Sequence, residues 1–313
     1  MPMLQLAHRL NKPEYWFQPR QLARKLLFEL GRYSEQTTTR VRLPWGAEIS
    51  VNPRESIGKS LLTCGVYELA VSEILWRLTE RGERCLDVGA NIGYMTSLLS
   101  VAAGGAGQVI SFEPHPRMFA HLAANSAAWP NSSPESKHAA ISLRPYALGA
   151  EDGELDLAEP ERFDENEGGA MLLASGPAAA AGLICHRVQV RCLDQAVDAV
   201  ANYGVMKIDV EGAEEGVILG AQRLLSARQV RDIVFEDFRP FPSTTVMLLK
   251  DAGYRVYRLA KSLRGPILWD PVAPTGADRS LPWEPVNYLA TSEPQRALAR
   301  LQPRGWRCLN NHH

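Results

Sequence analysis

The sequence predicts a doubly wound α/β sheet, and three observations predict it. From residue 84 short apolar strands alternate with helices, in the order RCLDVG, IGYMTSLLSVAA, QVISFE, PRMFAHLAANSAA and ISLRPYAL, which implies parallel pairing through right-handed crossovers. The first strand runs directly into Gly89-Ala90-Asn91-Ile92-Gly93 and a helix. Acidic residues close the apolar runs: Asp87 and Glu113 here, then Asp209 in VMKIDV and Glu236-Asp237 in DIVFED.

Ahead of this pattern, residues 14 to 30 place Leu22, Ala23, Leu26, Leu27 and Leu30 at helical spacing with Arg20, Arg24 and Lys25 elsewhere, and Pro19 suits a first turn. This amphipathic helix is expected to pack on the main domain. Residues 1 to 45 carry eight basic and three acidic side chains, so a membrane surface or an acidic partner is the other reading of its basic face. RVRLPW and AEISVNP alternate as strands around Gly46, and residues 66 to 79 return to helical periodicity.

After Leu148, GELDLA reads as a hairpin strand and the acidic stretch 151 to 167 as a solvated loop. Residues 168 to 182 read as a loop or lid, in which Gly168 and Gly169 would let the segment 166 to 172 close over a ligand. VQVRCLD, VMKIDV and DIVFED supply three more strands, with Asp194 as the N-cap of a short helix at 195 to 201. A helix at 243 to 252 precedes RVYRLA and PVNYLAT, an antiparallel pair separated by a Pro-rich excursion. The expected division is an extension over 1–64, a main domain over 65–291 and a C-terminal helix or tail over 292–313.

The 34 basic and 35 acidic side chains leave a net charge of −1, so no global field attracts nucleic acid. No apolar run approaches the ~20 residues of a bilayer-spanning helix, and the first residues lack the pattern of a secretion signal; a cytoplasmic protein is expected. Five irregularly spaced cysteines read as reduced thiols, and the His312-His313 pair carries no metal-site signal.

The strand, glycine loop, helix and following acid form a nucleotide-type site, in which Glu113 accepts hydrogen bonds from ribose hydroxyls. Asn91 breaks the G-x-G-x-x-G pattern, which makes a poor pyrophosphate cradle. A cofactor with a ribose and no phosphate, such as S-adenosylmethionine, suits the loop better, and Asp87 would face its cationic amino-acid moiety. In VMKIDVEGAE, alternation points Met206, Ile208 and Val210 one way and Lys207, Asp209 and Glu211 the other. Ionisable groups on a central strand are costly unless paired or opened to a cleft. They therefore mark a site beyond the carboxyl ends of the strands, or else a Lys207–Asp209 ion pair that only fixes the strand end. Asp209, Glu211 and Glu236 suit either a hard cation such as Mg²⁺ or a general-base set. Arg255, Arg258, Lys261 and Arg264, interleaved with Tyr254 and Tyr257, would grip an anionic or saccharide acceptor or simply form a charged edge strand.

CLDVGANIGY, VISFEPHP with Asn125 following, ALG-x-x-DGE, Leu193-Asp194 and KIDVEGAE together resemble the FkbM-type S-adenosylmethionine-dependent methyltransferases. The resemblance spans about residues 65 to 291, with Gly65-x-Tyr67-Glu68 at its start and Asn287-Tyr288-Leu289 at its end. It implies a seven-stranded Rossmann-like sheet with an antiparallel last strand, and O-methylation of a hydroxyl on a small metabolite or glycan. It also implies that Asp87, Gly89, Ala90, Asn91 and Gly93 line the methionine part of the cofactor, that Glu113 holds the ribose, and that Ala147 and Leu148 flank the adenine. Asp209, with Glu68, would face the methionine end. Two departures stand out: His115 replaces the more usual Asn, and residues 127 to 139 look like an elongated loop. Glu211 is the first candidate for the base that accepts the hydroxyl proton, with Asp209 and Glu236 as alternatives and His115 and His186 as weaker ones. The competing functions are a nicotinamide-dependent oxidoreductase, against which Asn91 and the antiparallel strand pair count, and a non-catalytic cofactor-binding protein, against which the Lys207, Asp209 and Glu211 set counts.

Overall fold

The computed structural model describes residues 12–33, 37–132, 137–160, 169–173, 183–271 and 286–310. The first residues of the chain, residues 161–167 of the acidic stretch, most of the lid segment, the Pro-rich excursion and the His312-His313 pair therefore lie outside the described residues.

The hairpin forms as its alternation predicts, from β1 (Thr39–Arg42) and β2 (Glu48–Val51). Further along lie β3 (Arg84–Val88), β4 (Gln108–Phe112), β5 (Ala140–Arg144), β6 (Ala147–Leu148), β7 (Gly153–Ala158), β8 (Met171–Leu173) and β9 (Cys185–Arg191). Then follow β10 (Tyr203–Ile208), β11 (Val230–Glu236), β12 (Arg255–Ser262), β13 (Gly265–Trp269) and β14 (Asn287–Thr291). The main sheet has eight strands in the order β13-β12-β14-β11-β10-β3-β4-β5. β5, β4, β3, β10 and β11 are parallel, and β14 enters antiparallel between β11 and β12. The sheet has eight strands where seven were implied, because β13 forms a tight hairpin with β12 at its edge.

The central strands are apolar on both faces, as a sheet covered by helices on each side requires. Cys85, Val205 and Val234 join one buried cluster with the helices Leu69–Leu78 and Tyr94–Ala103. Leu86, Met206, Ile233 and Phe235 join the other, with the helices Glu214–Leu219, Gln222–Ser226 and Thr244–Asp251. Each such side chain contributes about 1.5–3 kcal/mol on burial. Asp87 and Lys207 fall on the first of these faces, at its carboxyl end.

The helix Leu69–Leu78 is buried and carries an internal ion pair, Arg77 Nε to Glu73 Oε1 at 2.5 Å. That pair holds the C-terminal segment. Glu73 accepts the backbone N–H groups of Arg307 and Cys308 at 2.8 Å each, and Arg77 donates to the carbonyls of Pro303 and Gly305 at 2.6 and 2.7 Å. The helix Pro294–Leu301 and the short turn Arg307–Leu309 are clamped against this helix in this way.

Several local expectations change. The N-terminal helix is two helices, Pro13–Phe17 and Arg20–Glu29, because Pro19 supplies no N–H to carry the first helix forward. A helix at Ser56–Cys64, not evident from periodicity, starts where Glu55 accepts the N–H groups of Ile57 and Gly58 and stops at Gly65 in the left-handed region. ISLRPYAL splits at Pro145, so β5 stays in the main sheet while β6 begins a second sheet, β6-β9-β7-β8. VQVRCLD accordingly forms β9 there, and residues 171 to 173 form a strand rather than a loop. Asp194 caps a different helix from the expected one, accepting the N–H groups of Arg223 and Leu224 at 2.7 and 3.0 Å, while the local helix is Leu193–Ala196. The helix Pro116–Ser132 runs through half of the expected elongated loop, because Trp129 is fully buried.

Candidate active site

Strand order lays the acidic residues out in a line along the carboxyl edge of the sheet: Glu236 at the end of β11, Asp209 after β10, Asp87 within β3 and Glu113 after β4. Beyond them come Tyr146, Ala147 and Leu148, between β5 and β6. A cleft of about 1030 Å³, counting its open mouth, follows this line. One end is polar, with Lys207, Asp209, Glu211 and Glu236; the other is apolar, with Phe112, Tyr146, Leu148, Leu157 and Leu172.

The loop after β3 is shaped by two backbone conformations. Gly89 has φ +77° and sits so close to the end of β10 that a Cβ there would lie 1.8 Å from the Asp209 carbonyl oxygen. Asn91 has φ +49°, and its side-chain oxygen accepts the Ile92 N–H at 2.6 Å. Glu113 reaches into this loop, accepting the N–H of Asn91 at 2.7 Å and of His115 at 2.8 Å. Burial pushes its carboxyl up to about 7 despite those two donors.

Beneath the loop, Asp87 is fully buried. Thr96 donates to its Oδ2 at 2.5 Å, while Oδ1 has no hydrogen-bond partner and lies 4.0 Å from Lys207 Nζ. Burial, the larger effect, raises the Asp87 carboxyl although Lys207 opposes it. Lys207 Nζ donates to the Gly89 carbonyl at 3.1 Å and pairs with Asp209 Oδ2 at 3.1 Å. Burial alone would lower the lysine, but Asp209, Asp87 and Glu68 outweigh it and hold the ammonium above the ordinary lysine range.

Glu211 reaches the cleft by a different route from simple alternation. β10 ends at Ile208, and Glu211 sits in the following turn at φ +51°, with Gly212 at +98°. Val210, expected on the opposite face, lines the cleft as well. Burial, then the charges of Asp209 and Glu214, push the Glu211 carboxyl up to about 7. Glu236 is raised further, by burial first and then by Asp209, Glu68 and Glu211.

Of the residues singled out from the sequence, Gly89, Ala90, Asn91, Glu113, Ala147, Leu148, Asp209, Glu211 and Glu236 line the cleft. Gly93 stands behind it, starting the helix Tyr94–Ala103 at φ +95°. Glu68 lies in an adjoining cavity with Leu259, Lys261 and Asn287; burial and Asp209 raise its carboxyl, while a hydrogen bond from Asn287 lowers it. The basic set on β12 is turned to structural contacts: Arg255 pairs with Asp270, Arg258 stacks over Trp269, and Lys261 lies 3.5 Å from Glu14. Tyr67, part of the Gly65-x-Tyr67-Glu68 motif but given no site role from the sequence, donates its N–H to Tyr94 Oη at 3.0 Å, and its ring meets Tyr94 edge-on along the cleft wall.

His115 and His186 do not stand with the carboxylates of the polar end. Both donate to Glu159 Oε1, at 3.0 and 2.8 Å, which ties the cleft-lining His115 to the second sheet. His115 Nδ1 accepts the Arg117 N–H at 3.2 Å, so the ring proton sits on Nε2. Among the described residues this trio is the group whose donor atoms converge within metal-ligand range, but the proton on Nε2 occupies the position a metal would need. Asp209, Glu211 and Glu236 do not converge that closely among the described residues.

No helix among the described residues is long and apolar enough to cross a membrane. A search of curated proteins finds no match. Among solved structures, the fold is similar to an S-adenosylmethionine-dependent O-methyltransferase from Thermotoga maritima, at 14% identity over 78% of this chain and 73% of that one, with a TM-score of 0.41. It is also similar to a S-adenosylmethionine-dependent methyltransferase from Agrobacterium tumefaciens, at 10% identity over 82% and 70%, TM-score 0.39. A third is Aeropyrum pernix fibrillarin with natively bound S-adenosyl-L-methionine, at 15% identity over 71% and 74%, TM-score 0.33. The model of the methyltransferase FkbM domain matches residues 87–256, from Asp87 in β3 to Val256 in β12, which is more than half of the chain. With Asp87, Glu113, Asp209, Glu211 and Glu236 all inside that match, the chain belongs to the FkbM family of S-adenosylmethionine-dependent methyltransferases.

Proposed function

We propose that this methyltransferase is an O-methyltransferase acting on a hydroxyl of a small metabolite or glycan, with Glu211 as the proton acceptor. Bound in the cleft, S-adenosylmethionine supplies an activated methyl group. The residues present fit it. The buried Asp87 Oδ1 without a partner and the backbone of Gly89, Ala90 and Asn91 suit the charged amino-acid end, together with Asp209. Glu113, already anchored by two N–H groups, suits the ribose, and the apolar slot at Ala147, Leu148 and Leu157 suits a purine. Gly93 and Glu68 act from behind, by starting the loop helix and by adding charge to the polar end.

The observation that carries the reading is the division of labour among the carboxylates at the polar end. Asp209 is engaged by Lys207 at 3.1 Å. Glu236 is raised furthest, to about 9, by burial and by Asp209, Glu68 and Glu211, which suits it less to taking a proton. Glu211, near 7, has the basicity suited to taking a proton as the new O–C bond forms. Its place in a turn past the strand end, on the wall of the cleft, supports that role.

Calorimetric titration with S-adenosylmethionine, S-adenosylhomocysteine and NAD tests the donor site, followed by a screen of hydroxylated acceptors with labelled methyl donor. Saturable binding of the two adenosyl-sulfur ligands and methyl transfer to an oxygen support the reading. Binding of NAD alone, or transfer only to nitrogen or carbon, overturns it.

A further inference from the structure

We propose that the helix Arg20–Glu29 docks the protein on an anionic lipid surface through its leucine face. In a soluble domain the apolar stripe of a surface helix faces the core. Here the orientation is reversed. Gln21 is buried and Lys25 and Phe28 are partly buried on the inner side, whereas Leu22, Leu26, Leu27 and Leu30 are 42, 58, 38 and 73% exposed. Spacing of four residues sets Leu22, Leu26 and Leu30 in one line, with Leu27 beside them.

The inner side is held by polar contacts, which fix the rotation of the helix. Gln21 Nε2 donates to Gln18 Oε1 at 3.2 Å, and Gln18 Nε2 donates to the Leu309 carbonyl at 2.8 Å. The Lys25 ammonium lies 5.6 Å from the Tyr15 ring centre and 3.8 Å from Glu29. Turning the leucines inward would break these contacts and send Gln21 and Lys25 outward, so the exposed face is a built feature of the fold.

Charge selects the occupant. Arg20, Arg24 and Arg32 are exposed around the leucines, and Glu29, the acidic residue of this helix, is tied to Lys25. The face is thus positive in a chain whose overall charge is −1. Leucines bordered by guanidinium groups match the boundary of a bilayer, where phosphates meet the arginines and acyl chains receive the leucines. A second copy of the same face would set arginines against arginines. The helix beneath, Ser56–Cys64, lends Ile57 to the cleft wall, so docking holds the cleft close to the lipid surface.

Flotation of the full chain with vesicles of phosphatidylcholine, and of phosphatidylcholine mixed with phosphatidylglycerol, tests this. The expected result is binding to the mixed vesicles that weakens with salt, and little to the neutral ones. A Leu22→Gln, Leu26→Gln variant is expected to lose about tenfold or more in vesicle affinity with an unchanged unfolding midpoint, because neither side chain is buried. An Arg20→Gln, Arg24→Gln variant is expected to lose the salt-sensitive part. Failure of the wild-type chain to float with the mixed vesicles overturns the proposal, as does undiminished binding by the leucine variant. A wild-type dimer that the leucine variant dissociates assigns the face to a second copy and overturns it as well.

Discussion

Lys207 and Asp87 are register partners on the adjacent parallel strands β10 and β3, with the ammonium 4.0 Å from a carboxylate oxygen that has no hydrogen-bond partner. The lysine reaches in turn to Asp209 and to the carbonyl of Gly89. One cation thus serves both the loop after β3 and the end of β10, and the charge balance of the cleft's polar end depends on it.

Replacing Lys207 by Met leaves Asp87 buried without its counter-charge. Removal of one partner from a buried ion pair costs about 3–5 kcal/mol. The expected outcome is a lower urea midpoint, read by circular dichroism, together with weakened S-adenosylmethionine binding in calorimetry. A variant as stable as the wild type would show that the pair contributes nothing to folding.

Glu211→Gln keeps the size of the side chain and removes its basicity. Turnover on a hydroxyl acceptor is expected to fall by about 10²–10⁴, while the affinity for S-adenosylmethionine changes only a few-fold. Normal turnover would assign the base elsewhere. Asp87→Ala is the converse case, in which cofactor binding itself is lost.

Burial raises the carboxyls of Glu211 and Glu113 from an ordinary 4.5 to about 7. In that interval the folded state holds protons that the unfolded chain has released, so stability falls as pH rises. The ligand-free protein is therefore expected to be most stable below about pH 4.5 with respect to these two groups, to lose that contribution between 4.5 and 7, and to level off above. Glu211→Gln should melt above the wild type at pH 8, and the gap should close toward pH 5. Turnover should rise with pH through about 7 as Glu211 ionises. A thermal melt series across pH and a pH–rate profile check the two halves separately.

Gly89→Ala meets both a left-handed backbone and the Asp209 carbonyl. Such a residue costs several kcal/mol unless the strands shift. A reduced melting temperature with loss of S-adenosylmethionine binding is expected, and calorimetry on the soluble fraction checks it.

The strand ends were legible because polar residues interrupt apolar runs there. Asp87, Lys207, Asp209 and Glu236 each stand out against neighbours such as Leu86, Met206, Ile208 and Phe235, and pairing between successive strands follows from the alternation with helices. Glu211 was legible as a residue but not as a geometry, because its left-handed turn departs from strand alternation. The second sheet was not legible. β6 is two residues long, β8 three, and their partners lie across long connections, so no local period announces them. The same distance hid the meeting of His115, Glu159 and His186, which come together only once β7 and β9 pair. Glu55 and Gly65 carried the signals for the helix between them, a cap and a left-handed stop, but its nine residues are too few for a clear apolar stripe.

Glu73 and Arg77 pair with each other on the helix Leu69–Leu78, yet their other side-chain hydrogen-bond partners stand at residues 300 to 308. On the ribosome that helix would be made long before those partners, leaving its polar groups without the backbone carbonyls and N–H groups that satisfy them. Helix Leu69–Leu78 starts directly after Glu68, so residues 300 to 308, made long after it, complete the support of one part of the cleft's surroundings. Nascent chains stalled before residue 300 should therefore hold a loose cleft and bind adenosyl ligands poorly, and the donor site matures only once residues 300 to 308 can fold back onto this helix.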